Sequence, residues 1–363
     1  MAVIEPRVLK GFRDMLPEAE MTRARLVRTL ESVFASFGFV PIDTPVLEYA
    51  EILLGKGGGE TDKQVYRFRD HGDRDVAMRF DLTVPFARFM AEHVDELYLP
   101  FRRYHIAKVW RGENTQRGRY REFMQCDFDI VGTDAASADA DIVLTACTAM
   151  QALDVGDFTV RINHRALFNR FLARRGLASQ SVPILRTVDK LEKIGAQAIE
   201  AQLASIAGPE TARDILDFIH RESSLDATLN KMIAYCEPGD ALAAAARQRI
   251  LQVAECVEAA GHGGHLVLDP SITRGLDYYT GIVLETTLGA CPEIGSVCSG
   301  GRYDELASLY TTRKLPGVGA SVGLDRLLAA LDAAGRAMQV PAGADVLIVH
   351  QEHNSIADLH ALA

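Results

Sequence analysis

The apolar residues Leu26, Leu30, Val33, Phe34 and Phe37 fall on one helical stripe between positions 19 and 37, and Gly38 stands where a C-terminal cap is expected. An amphipathic helix is predicted there, followed by the extended run FVPIDTPVLE. Pro41 and Pro45 keep that run out of a central strand and suggest a sheet edge or an interface. In VAMRFDLTVP, Arg79, Asp81 and Thr83 alternate with Met78, Phe80, Leu82 and Val84, which predicts a strand with one polar and one apolar face. GRYREFMQCDFDIVG repeats the pattern, with Arg119, Arg121, Phe123, Gln125, Asp127 and Asp129 opposite Met124, Cys126, Phe128 and Ile130. Ala-rich, charge-laced helical segments then fill residues 165 to 260, and the change of composition marks an inserted helical domain. Strand character returns in LDYYTGIVLETTL, and VGASVGLDRLLAAL reads as a Gly-rich strand leading into a helix. The chain is thus expected to divide into 1–164, the insert 165–260, a return 261–335, and a further strand-helix unit, 336–363, too short to be a domain.

Composition narrows the class. A chain of 363 residues exceeds what one hydrophobic core usually serves, and 24% charged with 48% apolar residues describes a soluble globular protein. The start, MAVIEPRVLKGFRDMLPE, has no apolar signal region, and no window approaches the roughly 18 apolar residues of a membrane span, so a cytoplasmic location away from membranes is expected. Cysteines at 126, 147, 236, 256, 291 and 298 form no C-x-x-C pair and read as buried small hydrophobes. His262 and His265 in GHGGHLV lack a flanking Cys or acid and read as a loop before a strand. GKGGGETDKQVYRF lacks phosphate-loop spacing and reads as a loop. A formal net charge of -10 argues against nonspecific duplex binding, yet a local basic patch could still meet a nucleic acid.

Such a patch exists in WRGENTQRGRYREFMQCDFD, where Arg111, Arg117, Arg119 and Arg121 precede Asp127 and Asp129. A half-solvated antiparallel sheet produces alternation routinely. It gives no reason to sort cations to one end and carboxylates to the other, whereas a bound zwitterion or nucleotide does.

Together these segments resemble the class II aminoacyl-tRNA synthetases, and within them the histidyl-tRNA synthetase family. Three class motifs occur in order: the helix and strand ending in TPVLE with Pro45, then FRRYHIAKVWRGENTQRGRYREFMQCDFD, then GVGASVGLDRL with Arg326. RGLDYYTG at 274 to 281 and SGGRYD at 299 to 304 match the segments that distinguish histidine-specific members. The resemblance covers roughly residues 8 to 335. It implies an α+β fold, an antiparallel sheet flanked by helices, with 1–164 and 261–335 as two parts of a catalytic domain. Residues 336–363 would begin an anticodon-binding domain and leave most of it out.

The resemblance also implies a chemistry: ATP-dependent activation of histidine to the adenylate, aided by Mg²⁺, and transfer to histidine tRNA by a homodimer joined through the first motif. Arginine suits the task because its planar fork binds phosphate oxygens in pairs and stays protonated. By resemblance Arg111 and Arg274 are catalytic at the α-phosphate, Glu113 meets the adenine edge, Phe123 its face, and Arg119 and Arg326 the outer phosphates. Asp81, Thr83, Gln125, Asp129, Tyr278, Tyr279 and Tyr303 would receive histidine, and Gln116 and Arg117 would touch tRNA. Gly300 and Gly301 would let the backbone approach the ligand. No metal is expected to be held by protein ligands alone. The alternative within the same resemblance is a histidine-sensing regulatory subunit of ATP phosphoribosyltransferase. A sensor has no use for an ATP apparatus, and intact Arg111, Glu113, Arg274 and Arg326 favour the enzyme.

Overall fold

The computed structural model describes residues 3–55, 64–273 and 279–336, with a few positions between 348 and 361. Arg274 and Tyr278, most of the glycine-rich segment after Leu54, and most of the final strand-helix unit lie outside the described residues.

Helix Pro17–Ser36 opens with Pro at its first position and Glu18 and Glu20 in its first turn, where carboxylates complement the exposed N–H groups. It buries Leu26, Leu30, Val33 and Phe34, and Gly38 at φ 77° turns the chain out of it. Strand β1 (Val40–Pro41) lies at a sheet edge, where a proline costs no ladder bond. Strands β2 (Leu47–Tyr49), β3 (Arg67–Arg69) and β4 (Asp75–Met78) form a small antiparallel sheet in the order β2-β4-β3.

The strand predicted for VAMRFDLTVP therefore ends at Met78, and Thr83 opens a helix, Thr83–His93. The short alternation competes with a longer helical period, since Val84, Phe86, Ala87 and Met90 are all buried on that helix. Pro85 suits a first helical turn, which needs no N–H from it, and Asp81 Oδ1 accepts the Val84 N–H at 3.0 Å.

Strands β5 (Phe101–Trp110), β6 (Glu122–Val131), β7 (Phe158–His164), β8 (Leu266–Leu268), β9 (Ile282–Leu288), β10 (Cys298–Arg302) and β11 (Gly317–Gly323) complete the main sheet. Its order is β1-β5-β6-β11-β10-β9-β7-β8, antiparallel except for the outer pairs β1/β5 and β7/β8. One face is covered by Pro17–Ser36 and by helix Ala136–Ala152, with Cys126, Phe128 and Ile130 of β6 in the core and the Phe34 and Phe128 rings 4.9 Å apart. The chain from 165 to 259 is a run of helices whose aromatic centre, Phe168, Phe171 and Phe218, is continuous with that core. Five cysteines are buried; Cys256 is exposed, against expectation, because its side of helix Ala241–Ala259 faces solvent. Among the described residues no helix is long and apolar enough to cross a membrane.

Candidate active site

Residues paired across neighbouring strands point to the same face of a sheet. Register therefore carries one row from His105 through Asp127, Ser321 and Ser299 to Glu285 and Arg161. The adjacent row runs from Arg103 through Asp129 and Gly319 to Gly301 and Val283. The central members of these rows, Asp127, Ser321, Ser299, Glu285, Asp129 and Gly319, floor a cleft of about 300 Å³ on the face opposite the helices. Phe123 and Asp129 both line it, six residues apart on β6, a span of about 20 Å at the rise of an extended strand.

Toward Phe123 the cleft is cationic and aromatic. Arg111, Glu113, Arg119, Phe123 and Arg326 line it together. Arg111 Nε donates to the Phe80 carbonyl at 2.8 Å, which aims the guanidinium across the Phe123 ring with its carbon 5.1 Å from the centroid. Arg326 donates to the Ser296 carbonyl at 2.6 Å. Its neighbour Asp325 accepts the Met124 N–H at 2.7 Å and the guanidinium of Arg13, so helix Leu324–Ala333 is tied both to β6 and to the N-terminal segment.

Toward Asp129 the cleft is acidic. Thr83, Gln125, Asp127, Asp129, Tyr279 and Tyr303 line it, and the Tyr303 hydroxyl donates to Asp129 Oδ1. A methyl group at Gly319 would collide with the Asp129 carboxylate, and one at Gly317 with the Tyr303 ring. The glycines of β11 thus yield their volume to pocket side chains. A carbon added at Gly301 would meet the Ile282 carbonyl at 2.7 Å and the Tyr279 ring at 3.0 Å, and Gly300 lines the cleft. Burial pushes Asp81 and Asp129 above the usual carboxylate range and Asp127 up to about 7, with the Arg103 guanidinium opposing each rise. Burial, then Arg103 and Arg79, hold His105 down at about 3, and burial beside Asp129 lifts the Tyr303 phenol far above its ordinary value.

Not every expected residue lines this space. Asp81, 1% exposed, lies beneath it with one carboxylate oxygen on the Val84 N–H. Gln116 and Arg117 stand at the tip of the loop after β5, where Gln116 and Arg119 exchange backbone hydrogen bonds and Arg117 pairs with Asp332 at 3.0 Å. Arg121 leaves the arginine cluster altogether, donating from Nε to the Glu113 carbonyl at 3.2 Å and from its backbone to Gly11. The cleft wall also takes in Glu285 and Asp325, which no motif singles out, and Asp127, to which the sequence assigns a polar face but no ligand role; Arg103 lies behind the wall. Alternation placed Asp127 on the polar face, but Arg103 becomes visible only once β5 and β6 are in register.

The SGGRYD strand has its own anchor. Arg302, next to Tyr303, donates through Nε and a terminal nitrogen to Asp139 Oδ1 at 2.9 and 2.7 Å. Arg249 of Ala241–Ala259 reaches the other oxygen at 2.9 Å. Among the described residues no group of three or more His, Cys, Asp or Glu could hold a metal ion.

A family model described as histidyl-tRNA synthetase matches residues 11–327. The histidine–tRNA ligase of Treponema denticola is 52% identical over 348 residues, covering 95% of this chain and 78% of the relative. That of Rhodopirellula baltica is 51% identical over 338 residues, 92% of this chain and 76% of the relative. The crystal structure of histidyl-tRNA synthetase from a Nostoc species is similar at a TM-score of 0.84 and 33% identity, covering 93% of this chain and 78% of that one.

Proposed function

The chain belongs to the histidyl-tRNA synthetase family, and on that premise we propose that it activates histidine with ATP in this cleft and passes the histidyl group to histidine tRNA. It is a histidine–tRNA ligase of class II fold. The observation that carries the site assignment is the polarity of one continuous cleft: cations and an aromatic face at the Phe123 end, buried carboxylates at the Asp129 end.

Adenylate formation is attack by the histidine carboxylate on the α-phosphate, with negative charge growing on that phosphate and on departing pyrophosphate. Catalysis is then mostly positioning and cationic stabilisation. In this reading Arg111 meets the α-phosphate, its Nε already committed to the Phe80 carbonyl so that its outer edge faces the cleft. Phe123 stacks the adenine, Glu113 takes its edge, and Arg119 and Arg326 receive the outer phosphates. Arg274 is proposed beside Arg111 on the family resemblance alone. At the acidic end Asp81, Thr83 and Gln125 take the ammonium, and Asp129, Tyr278, Tyr279 and Tyr303 the imidazole. A site that hydrogen-bonds a polar side chain rejects analogues lacking it by roughly 10⁴ to 10⁵, so no editing step is required.

Mg²⁺ suits a donor set of this kind, because it binds through one or two carboxylates together with substrate phosphates. Glu113 and Glu285 are the candidate carboxylates in the wall, and the ion would neutralise charge on the phosphates. Gln116 and Arg117, at the loop tip, are proposed to meet the tRNA acceptor stem. A homodimer is proposed through the first motif, where Val40, Val46, Leu47, Tyr49 and Phe68 are exposed, and a cytoplasmic location follows from the activity.

Histidine-dependent exchange of pyrophosphate into ATP tests the reading directly. Exchange with histidine and none with other amino acids is expected. Histidine binding without exchange would replace the ligase with a histidine sensor.

A further inference from the structure

We propose that Arg103 is a positioning residue that favours the ionised form of the carboxylates at the acidic end of the cleft, Asp129 above all, and thereby sets the pH range over which histidine is selected. The assignment rests on the reading of that end as the histidine site.

Arg103 is 0% exposed and lies outside the cleft lining, so it acts through other groups. It sits opposite Asp129 in the β5/β6 register, with one terminal nitrogen 2.9 Å from Asp129 Oδ2 and 3.8 Å from Asp127 Oδ2. The same nitrogen donates to the Leu82 carbonyl at 3.4 Å, and the guanidinium lies 4.2 Å above the Phe86 ring. Its Nε and its other terminal nitrogen have no hydrogen-bond partner among the described residues. A fully buried guanidinium so sparsely satisfied is a poor device for stability. It is well placed as a fixed charge.

The groups around it define what that charge does. β6 contributes Asp127 and Asp129, and the turn before Thr83–His93 contributes Asp81. Tyr303 follows β10 and donates to Asp129, while Tyr279 faces Tyr303. His105 of β5 is held neutral and Arg79 is turned to the Thr44 and Lys108 carbonyls. Arg111, held by the Phe80 carbonyl and lining the Phe123 end, still favours the ionised form of Asp81, but it is not a leading influence on Asp127 or Asp129. Arg103 is therefore the leading cation for Asp127 and Asp129, while Arg111 acts with it on Asp81 and Arg79 lies within electrostatic reach of Asp127.

A positive neighbour favours the ionised carboxylate, and burial favours the neutral one. With Arg103 removed, burial and mutual repulsion meet less opposition and the carboxylate pKa values rise. A protonated Asp129 no longer accepts hydrogen bonds from an imidazole N–H and Tyr303 together. Histidine affinity that needs the carboxylate is present above its pKa and lost as pH falls through it, so the acid limb of the profile moves to higher pH.

The test compares wild type and Arg103→Met by pyrophosphate exchange at saturating ATP from pH 5.5 to 9, with histidine binding followed by calorimetry over the same range. Titration of free histidine is common to both proteins and cancels in the ratio. The deficit in kcat/KM for histidine is expected to be at least about tenfold larger at pH 6 than at pH 9, because one unit of pKa displaces the limb by one pH unit. The KM for ATP should stay within about twofold, and Arg103→Lys should bring the limb back toward wild type. A deficit equal at every pH would make Arg103 a structural residue and overturn the assignment. If Arg103→Met does not fold, Asp127→Asn decides. Removing that like charge should move the limb to lower pH, and an unmoved limb overturns the proposal. Calorimetry keeps these outcomes separate from the ligase reading, which fails only if wild type binds histidine without exchange or does not bind it at all.

Discussion

At the residue scale, Asp129 and Phe123 sit on one strand face and are proposed to serve different halves of the substrate pair. Asp129→Asn removes a charged acceptor, and hydrogen bonds to charged groups contribute about 1.5–3 kcal/mol. The histidine KM should rise roughly 10- to 100-fold with the ATP KM within about twofold. Phe123→Ala should do the reverse, since stacking of a base on an aromatic ring contributes about 1–3 kcal/mol. Separate KM values from exchange assays check both variants. Parallel losses in the two ligands would mean that β6 holds the fold and does not divide the site.

At the element scale, the end of the cleft proposed to hold histidine depends on how β10 is fixed. Asp139 is fully buried and receives Arg302 from the end of β10 and Arg249 from the helical region, so one carboxylate joins the cleft sheet, helix Ala136–Ala152 and helix Ala241–Ala259. Burial pushes its pKa up and the two guanidinium groups oppose this. Breaking one partner of a buried ion network leaves the remaining charges uncompensated, at a cost of about 3–5 kcal/mol. Asp139→Asn should lower the urea midpoint accordingly, and the histidine KM should rise because Tyr303 follows Arg302 directly. An unchanged midpoint would show that solvent or rearrangement satisfies the arginines.

At the scale of the whole molecule, the exposed apolar set around the first motif is the face proposed to meet a second copy. Leu47 is 44% exposed and Tyr49 51%, so a charge there costs the single chain little. Sedimentation at micromolar concentration should give a two-chain mass for wild type and a one-chain mass for Leu47→Glu, with the thermal midpoint of the separated chain nearly unchanged. A two-chain mass for both would place the contact elsewhere.

The sequence by itself determined the elements whose periods are long or whose punctuation is strong. Helix Pro17–Ser36, the core and cleft faces of β6, and the strand-to-helix passage at Gly323 could all be read from spacing, because a side chain's face follows from its position in a regular backbone. The motif order was also sufficient to indicate the family. Near Thr83 spacing failed, since a few alternating residues cannot outweigh a helical burial pattern that begins inside them. The tertiary structure decided how the four arginines divide: Arg111 and Arg119 line the cleft, Arg117 pairs with Asp332 and Arg121 braces the N-terminal segment. It alone set Arg103 against Asp129 and filled the space above Gly319 with a carboxylate, because register between strands and the burial of a charge depend on contacts distant in sequence.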